Sequence, residues 1–220
     1  MTINVLSIFP DLFNSFLETG IVGKAQKIEL LRVEVNNIRD FASDSYGTVD
    51  DYPYGGGAGM VMKVEPIVSA LESIDNTGEV YLLTPRGMLF TQNITKELCQ
   101  KETITLICGR YKGVDERVRY FIDGEISIGD YVLSGGELAA MIIIESVTRL
   151  LPGAVSDTAS VEGDSFEGGL LDSPNYTRPR VFRGMEVPSV LLSGNHAEIE
   201  QWRKKEALKV TKKYRSDLLR

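Results

Sequence analysis

The chain has 220 residues, 43% hydrophobic and 25% charged, an ordinary globular composition with room for one large domain or two modest ones. Its net charge of −7 is unevenly spread: residues 201–220 hold eight Lys or Arg against Glu206 and Asp217, a surplus of six, which leaves −13 on the other 200 residues. The longest uninterrupted apolar run, residues 138–144, is far too short to span a membrane. With Cys99 and Cys108 the only cysteines and His196 the only histidine, a disulfide framework, a structural zinc site and a multi-histidine centre are all excluded.

Residues 3–9 read as a strand, and Pro10 suits the first turn of a helix running through Leu12, Phe13, Phe16 and Leu17 to Gly20. Alternating Leu31, Val33 and Val35 mark a second strand at 30–35. Residues 38–60 carry no period and end in Y-P-Y-G-G-G-A-G-M. Their glycines resemble a phosphate loop, but neither G-x-x-x-x-G-K-[ST] nor G-x-G-x-x-G occurs anywhere in the chain. The stretch reads as a substrate-facing loop or as a plain flexible connection. Residues 64–74 form a helical pattern with Ile67, Val68, Leu71 and Ile74 on one face.

One pattern then occurs three times. Apolar residues 80–83 run into T-P-R-G at 84–87, residues 104–108 into G-R-Y-K-G at 109–113, and residues 126–128 into G-D-Y-V-L-S-G-G-E at 129–137. Helical segments follow each, near 91–100, 114–120 and 137–151. Short apolar strands alternating with helices imply an α/β fold with a parallel sheet, and ligands in such sheets bind outside the carboxyl ends of the strands. Three glycine-bearing loops are therefore expected to meet at one edge. In the third, Gly129, Gly135 and Gly136 permit close backbone approach, and Ser134 with Glu137 forms a capping-box pattern. Taken alone, this stretch is either a ligand cradle or a tight strand-to-helix connection.

The helix at 137–151 is apolar nearly all round, so it crosses the core or forms a subunit interface. Arg149 near its end either complements the helix dipole or contacts an anion or carbonyl. Residues 152–169 are rich in Gly, Ser and acids and read as a linker, in which Asp164 is by itself a solvated acid. The expected division is thus 1–152, a linker at 153–169, and a smaller unit at 170–220. In that last unit Asn195, with Glu198 three places on, caps a long helix, and His196 reads as structural at its start. The basic tail is either an arm that docks on polyanions or a solvated amphipathic helix. The first ten residues lack a basic n-region and a cleavage-site pattern, so no signal peptide is expected, and a reducing cytoplasm fits best.

These motifs together resemble the bacterial tRNA (guanine-37-N1)-methyltransferases, the TrmD family of the knotted SPOUT class. The resemblance covers nearly the whole chain. It rests on D-D-Y-P-Y-G-G-G-A-G-M at 50–60, T-P-R-G at 84–87, C-G-R-Y-K-G-V-D-E-R at 108–117 and S-I-G-D-Y-V-L-S-G-G-E at 127–137. D-S-F-E-G-G-L-L-D at 164–172, Y-T-R-P at 176–179 and L-L-S-G-N-H at 191–196 complete it. It implies a parallel sheet flanked by helices, a deep trefoil knot near the C-terminal end of the sheet, and a small, mainly helical C-terminal domain. It also implies a cytoplasmic homodimer, in which one subunit's linker closes over the other's cofactor.

The implied reaction is methyl transfer from S-adenosyl-L-methionine to N1 of guanine-37, immediately 3′ of the tRNA anticodon, which supports reading-frame maintenance. By the family's pattern the cofactor is held in a bent shape by Leu83, Thr84, Pro85 and Gly87, by Gly109, Tyr111 and Gly113, and by Ile128, Gly129, Asp130, Tyr131, Val132, Leu133, Gly135 and Gly136. Asp164 is the implied general base, and Arg149 the implied stabiliser of charge growing on O6. Tyr54, Gly55, Gly57, Asp164, Ser165 and His196 are the implied substrate contacts. The basic C-terminal domain would grip the anticodon arm. The family is thought to use Mg2+, for which no ligand spacing is visible here. Three positions depart from the family's pattern: Lys112 stands where Glu is usual, Tyr52 where Arg is, and Ala58 where Pro is. Two alternatives stand beside this reading, a knotted methyltransferase acting on another RNA and a non-catalytic RNA-binding module.

Overall fold

Five strands pair side by side in the order β2-β1-β6-β5-β7, and every neighbouring pair is parallel. They are β1 (Thr2–Ser7), β2 (Arg32–Asn37), β5 (Glu79–Leu89), β6 (Thr103–Cys108) and β7 (Gly124–Ser127). The structure is a computed structural model, and it describes residues 1–155 and 163–219. The chain divides into two compact units, Met1–Ser156 and Asp157–Arg220.

The sheet forms because its interior strands place apolar residues on both faces. In β6, Ile104, Leu106 and Cys108 point into one core and Ile107 into the other. In β1, Ile3 and Val5 join the first core and Leu6 the second. Each such side chain, once buried, contributes about 1.5–3 kcal/mol. Helices α2 (Gly20–Lys27), α4 (Gln92–Cys99) and α5 (Glu137–Leu150) cover the first face, through residues such as Val22, Leu98 and Ile143. Helix α3 (Val64–Glu72) covers the second through Ile67, Ala70 and Leu71. The polar Asn4 is tolerated inside because its amide donates to Thr105 Oγ1 at 3.3 Å and to the Asn76 carbonyl at 3.2 Å.

Three local expectations are corrected. The helix anticipated from Pro10 to Gly20 is a 3-10 turn (Pro10–Phe13) and a short α1 (Asn14–Glu18). It breaks where Thr19 is extended and Gly20 takes φ +60°, and α2 follows. The segment expected as a helix at 114–120 is a 3-10 turn, Glu116–Phe121, capped by Asp115. Strand β5 does not stop at Leu83 but resumes after a detour, described below. The helix at 137–151 buries one side only: Ala140, Ile143, Ile144 and Val147 are fully buried, whereas Leu138 and Ile142 are exposed. No helix among the described residues is long and apolar enough to cross a membrane.

In the second unit, β8 (Val181–Phe182) and β9 (Met185–Glu186) form a hairpin across Arg183 and Gly184, both at positive φ. Helix α6 (His196–Tyr214) starts at Asn195, whose side chain accepts from the Glu198 amide at 3.4 Å. Its one buried residue, Thr211, accepts from the Leu171 amide at 2.9 Å, and Trp202 packs against Tyr176 with ring centroids 6.3 Å apart.

Candidate active site

The carboxyl ends of β6 and β7 lie on either side of Leu83 in β5, which stands opposite both Cys108 and Ile126. The loops that leave them bound a cavity of about 520 Å3. Both Leu83 and Met88 stand opposite Ile126, so the four residues between them swing out of the ladder. Of these, Thr84, Pro85 and Arg86 face the cavity. Gly87 does not. A Cβ there would sit on the backbone of Ile126, so this glycine serves the return of β5 onto β7.

The β6 loop contributes Gly109, Arg110, Tyr111, Lys112, Gly113 and Val114. Tyr111 is held at φ +60°, a conformation that costs a non-glycine residue of order 1 kcal/mol and is found at binding sites. The β7 loop contributes Ile128, Gly129, Tyr131, Val132, Leu133, Ser134, Gly135 and Gly136. Asp130 is exposed and stays outside the lining. Thirteen of the fifteen residues expected around the cofactor thus line one cavity, and Gly87 and Asp130 do not.

The third loop closes onto the second. The Gly136 amide donates to the Gly109 carbonyl at 2.9 Å, and Gly135 pairs with Arg110. A Cβ on Gly136 would stand 2.8 Å from Cys108 Cα, so only glycine lets the two backbones meet.

The capping box expected at Ser134 and Glu137 does not form. The residue ahead of α5 is Gly136, and no side chain caps it. Glu137 turns inward, 2% exposed. Its carboxylate accepts from Ser7 Oγ at 2.9 Å and from Arg110 Nε at 3.2 and 3.4 Å. Arg110 also lies 4.4 Å over the Phe9 ring. This knot of contacts fixes a cation in the cavity wall. Burial, with the Glu137 charge beside it, pushes the Cys108 thiol well above its usual range.

In the cavity lining Arg86 pairs with Glu116 at 3.0 Å, and beyond it Glu116 pairs with Arg119 at 2.9 Å and Arg119 with Glu125 at 2.8 Å. The glycine-rich segment is an antiparallel hairpin of β3 (Asp50–Asp51) and β4 (Val61–Met62). Its base is tied to the cavity loop: Lys112 donates to the Met60 carbonyl, and Met62 to the Gly113 carbonyl, each at 3.0 Å. Its tip carries Tyr54, fully exposed, with Gly55 and Gly57 at φ +84° and +111°, and none of the three lines the cavity.

Arg149 is exposed in the last turn of α5. Asp164, Ser165 and His196 belong to the second unit. Asp164 is half-buried, Ser165 Oγ accepts from the Asp172 amide at 3.0 Å, and His196 is exposed at the first position of α6. Among the described residues no group of three or more His, Cys, Asp or Glu could hold a metal ion.

Sequence reasoning did not single out Arg86, Arg110, Glu116 or Glu137 as contributors. Their pairings span 27 and 30 residues, or 130 for Ser7 with Glu137, and leave no local trace. The cavity joins an apolar floor of Leu82, Leu83, Ile126, Ile128 and Ala139 to exposed backbone and a charged rim, within the size range of small-molecule sites. That lining suits a nucleoside with a charged end.

A family model described as tRNA (Guanine-1)-methyltransferase TrmD matches residues 1–220. A tRNA (guanine-N(1)-)-methyltransferase of Dictyoglomus turgidum is 53% identical over 220 residues, covering 100% of this chain and 90% of the relative. One of the same description from Caldanaerobacter subterraneus subsp. tengcongensis is 51% identical over 222 residues, covering 100% and 92%. A third, from Carboxydothermus hydrogenoformans, is 53% identical over 222 residues, covering 100% and 88%.

Proposed function

The chain belongs to the tRNA (guanine-1)-methyltransferase TrmD family, and on that premise we propose that it methylates N1 of guanine-37 in tRNA with S-adenosyl-L-methionine as donor. Membership puts it among methyltransferases and leaves the non-catalytic binding module without support. The observation that carries the proposal is the convergence on one cavity of the β5 detour and the loops that follow β6 and β7.

S-adenosylmethionine supplies a methyl group already activated by its sulfonium. The chain's part is to bind, orient and move a proton. The apolar floor would receive the uncharged adenosine, and backbone groups of Leu83, Gly109, Ile128, Tyr131 and Leu133 would hold it. Asp164 accepts the N1 proton, a contribution typically worth about 10²–10⁴ in rate. Arg149 stabilises the charge that grows on O6 as N1 is deprotonated. The target base leaves its stack to reach the site, as base-modifying enzymes require. Methylation beside the anticodon then supports reading-frame maintenance.

The trefoil knot remains part of this proposal. Residues 128–136 leave β7 on one flank of β5 and return beside Gly109 and Arg110 on the other, a crossing that supports such threading. Exposed Leu138 and Ile142 on α5 support a homodimer, since neighbouring apolar side chains left in water favour a partner. We retain the division into a donor-binding domain at 1–152, a linker at 153–169 and a tRNA-gripping domain at 170–220, in a cytoplasmic enzyme. The basic surplus of the last twenty residues supports the third assignment. A Mg2+ requirement is carried over from the family alone.

The test uses two tRNA transcripts, with G or A at position 37. Methyl incorporation into the first alone is expected. Asp164→Ala should lose at least a hundredfold in turnover while still binding the donor. Equal methylation of both transcripts, or undiminished turnover in the variant, would sink the reading.

A further inference from the structure

We infer that Lys112 is a specificity-determining residue for the donor, taking the carboxylate of its amino-acid end. The inference rests on the proposed donor and deepens it. Three cations line the cavity: Arg86, Arg110 and Lys112. Arg86 is engaged by Glu116 at 3.0 Å, and Arg110 by Glu137 at 3.2 Å. Among the described residues no carboxylate pairs with Lys112. Its charge is therefore the one the wall leaves unanswered.

The side chain is also aimed. Its amide donates to the Met60 carbonyl at 3.0 Å, and its stem runs along the backbone of Gly59. A Cβ at Gly59 would stand 3.1 Å from Lys112 Cγ and 3.2 Å from Cδ, so the bare glycine at φ +89° leaves room for the stem. The ammonium thus stands where the glycine hairpin meets the cavity, apart from the apolar floor.

The donor carries two positive groups, the sulfonium and the amine, and one negative group. A fixed ammonium repels the first two and attracts the third. The uncharged adenosine suits the floor of Leu83, Ile126 and Ile128, which sends the amino-acid end toward the charged rim. A carboxyl group at this position would favour the donor's cationic groups. Lysine inverts that preference, so the chain is expected to discriminate donors by their carboxylate.

The test compares S-adenosylmethionine with its decarboxylated analogue, which keeps the sulfonium and the amine. Titration calorimetry on the full chain gives Kd for each. One charge-assisted hydrogen bond at an exposed rim corresponds to roughly tenfold in Kd. The wild type should prefer the carboxylated donor by about that factor, Lys112→Gln should lose the preference by weakening only that donor, and Lys112→Arg should restore it. A preference that survives in Lys112→Gln, or an equal loss for both donors, overturns the inference. So does unchanged donor affinity with weaker tRNA binding and a shallower salt dependence, which would assign Lys112 to an RNA phosphate. A wild type that binds neither donor overturns the donor assignment itself, and the two failures are therefore distinct.

Discussion

Glu137→Gln is expected to destabilise the first unit and loosen the proposed donor cavity together. The substitution keeps the shape of the side chain but removes the charge that answers Arg110. Breaking a buried ion pair from one side costs about 3–5 kcal/mol. The Arg110 side chain retains 23% exposure and so recovers some hydration, which brings the expected cost to about 2–3 kcal/mol. For a unit of this size that is a fall in Tm of about 4–12 °C. Because the Arg110 backbone bridges to Gly135 and both residues line the cavity, donor affinity should fall as well. Thermal unfolding and donor titration measure the two effects. The double variant Glu137→Gln with Arg110→Met leaves no charge buried without a partner, and should lose less than the two single variants summed. Additive losses, or a Glu137→Gln variant within about 0.5 kcal/mol of wild type, would refute the account of this cluster.

Gly136→Ala places a Cβ 2.8 Å from Cys108 Cα and should cost about 1–3 kcal/mol, read as a shift in denaturant midpoint. Native thiol titration should find Cys99 slow and Cys108 unreactive until the chain unfolds, because Cys108 is buried and held in its neutral form. That raised thiol also sets an alkaline limit. Its contribution to stability is complete below the ordinary thiol pKa of about 8.5 and is lost as pH rises above it, so denaturant midpoints should fall between pH 8 and 10. Arg178→Gln with Arg203→Gln, in a cavity of about 540 Å3 in the second unit, should weaken tRNA binding and flatten its logarithmic salt slope by between one and two, as measured by filter binding.

The parallel sheet was legible because Ile104 to Cys108 and Val80 to Leu83 are apolar on both faces, and because glycine-bearing loops follow them. Periodicity and loop chemistry are local properties, so one sequence suffices to see them. The detour in β5 was not legible. T-P-R-G at 84–87 reads as a glycine-bearing loop that ends the strand, and only the register of Ile126 against both Leu83 and Met88 reveals that the strand resumes. Ser134 and Glu137 fit a capping box by spacing, but a guanidinium and a hydroxyl from distant segments claim the carboxylate first. The same blindness hid Arg86 with Glu116. Charged pairs between separate loops carry no period, and the chain must be folded before they can be read.

The interior position of β1, between β2 and β6, has a consequence for synthesis. Its partner on one side, β2, leaves the ribosome soon after it, but β6 and then Glu137 emerge far later. At about 5–20 residues per second the interval between Ser7 and Glu137 is on the order of ten seconds. Until β6 emerges, over most of that interval, one edge of the first strand is an open template for other chains, the kind of surface holdase chaperones cover. Translation must reach the first residue of α5 before Ser7 can receive its acceptor, so the cavity walled by Arg110 and Glu137 is among the last parts of its unit to be completed.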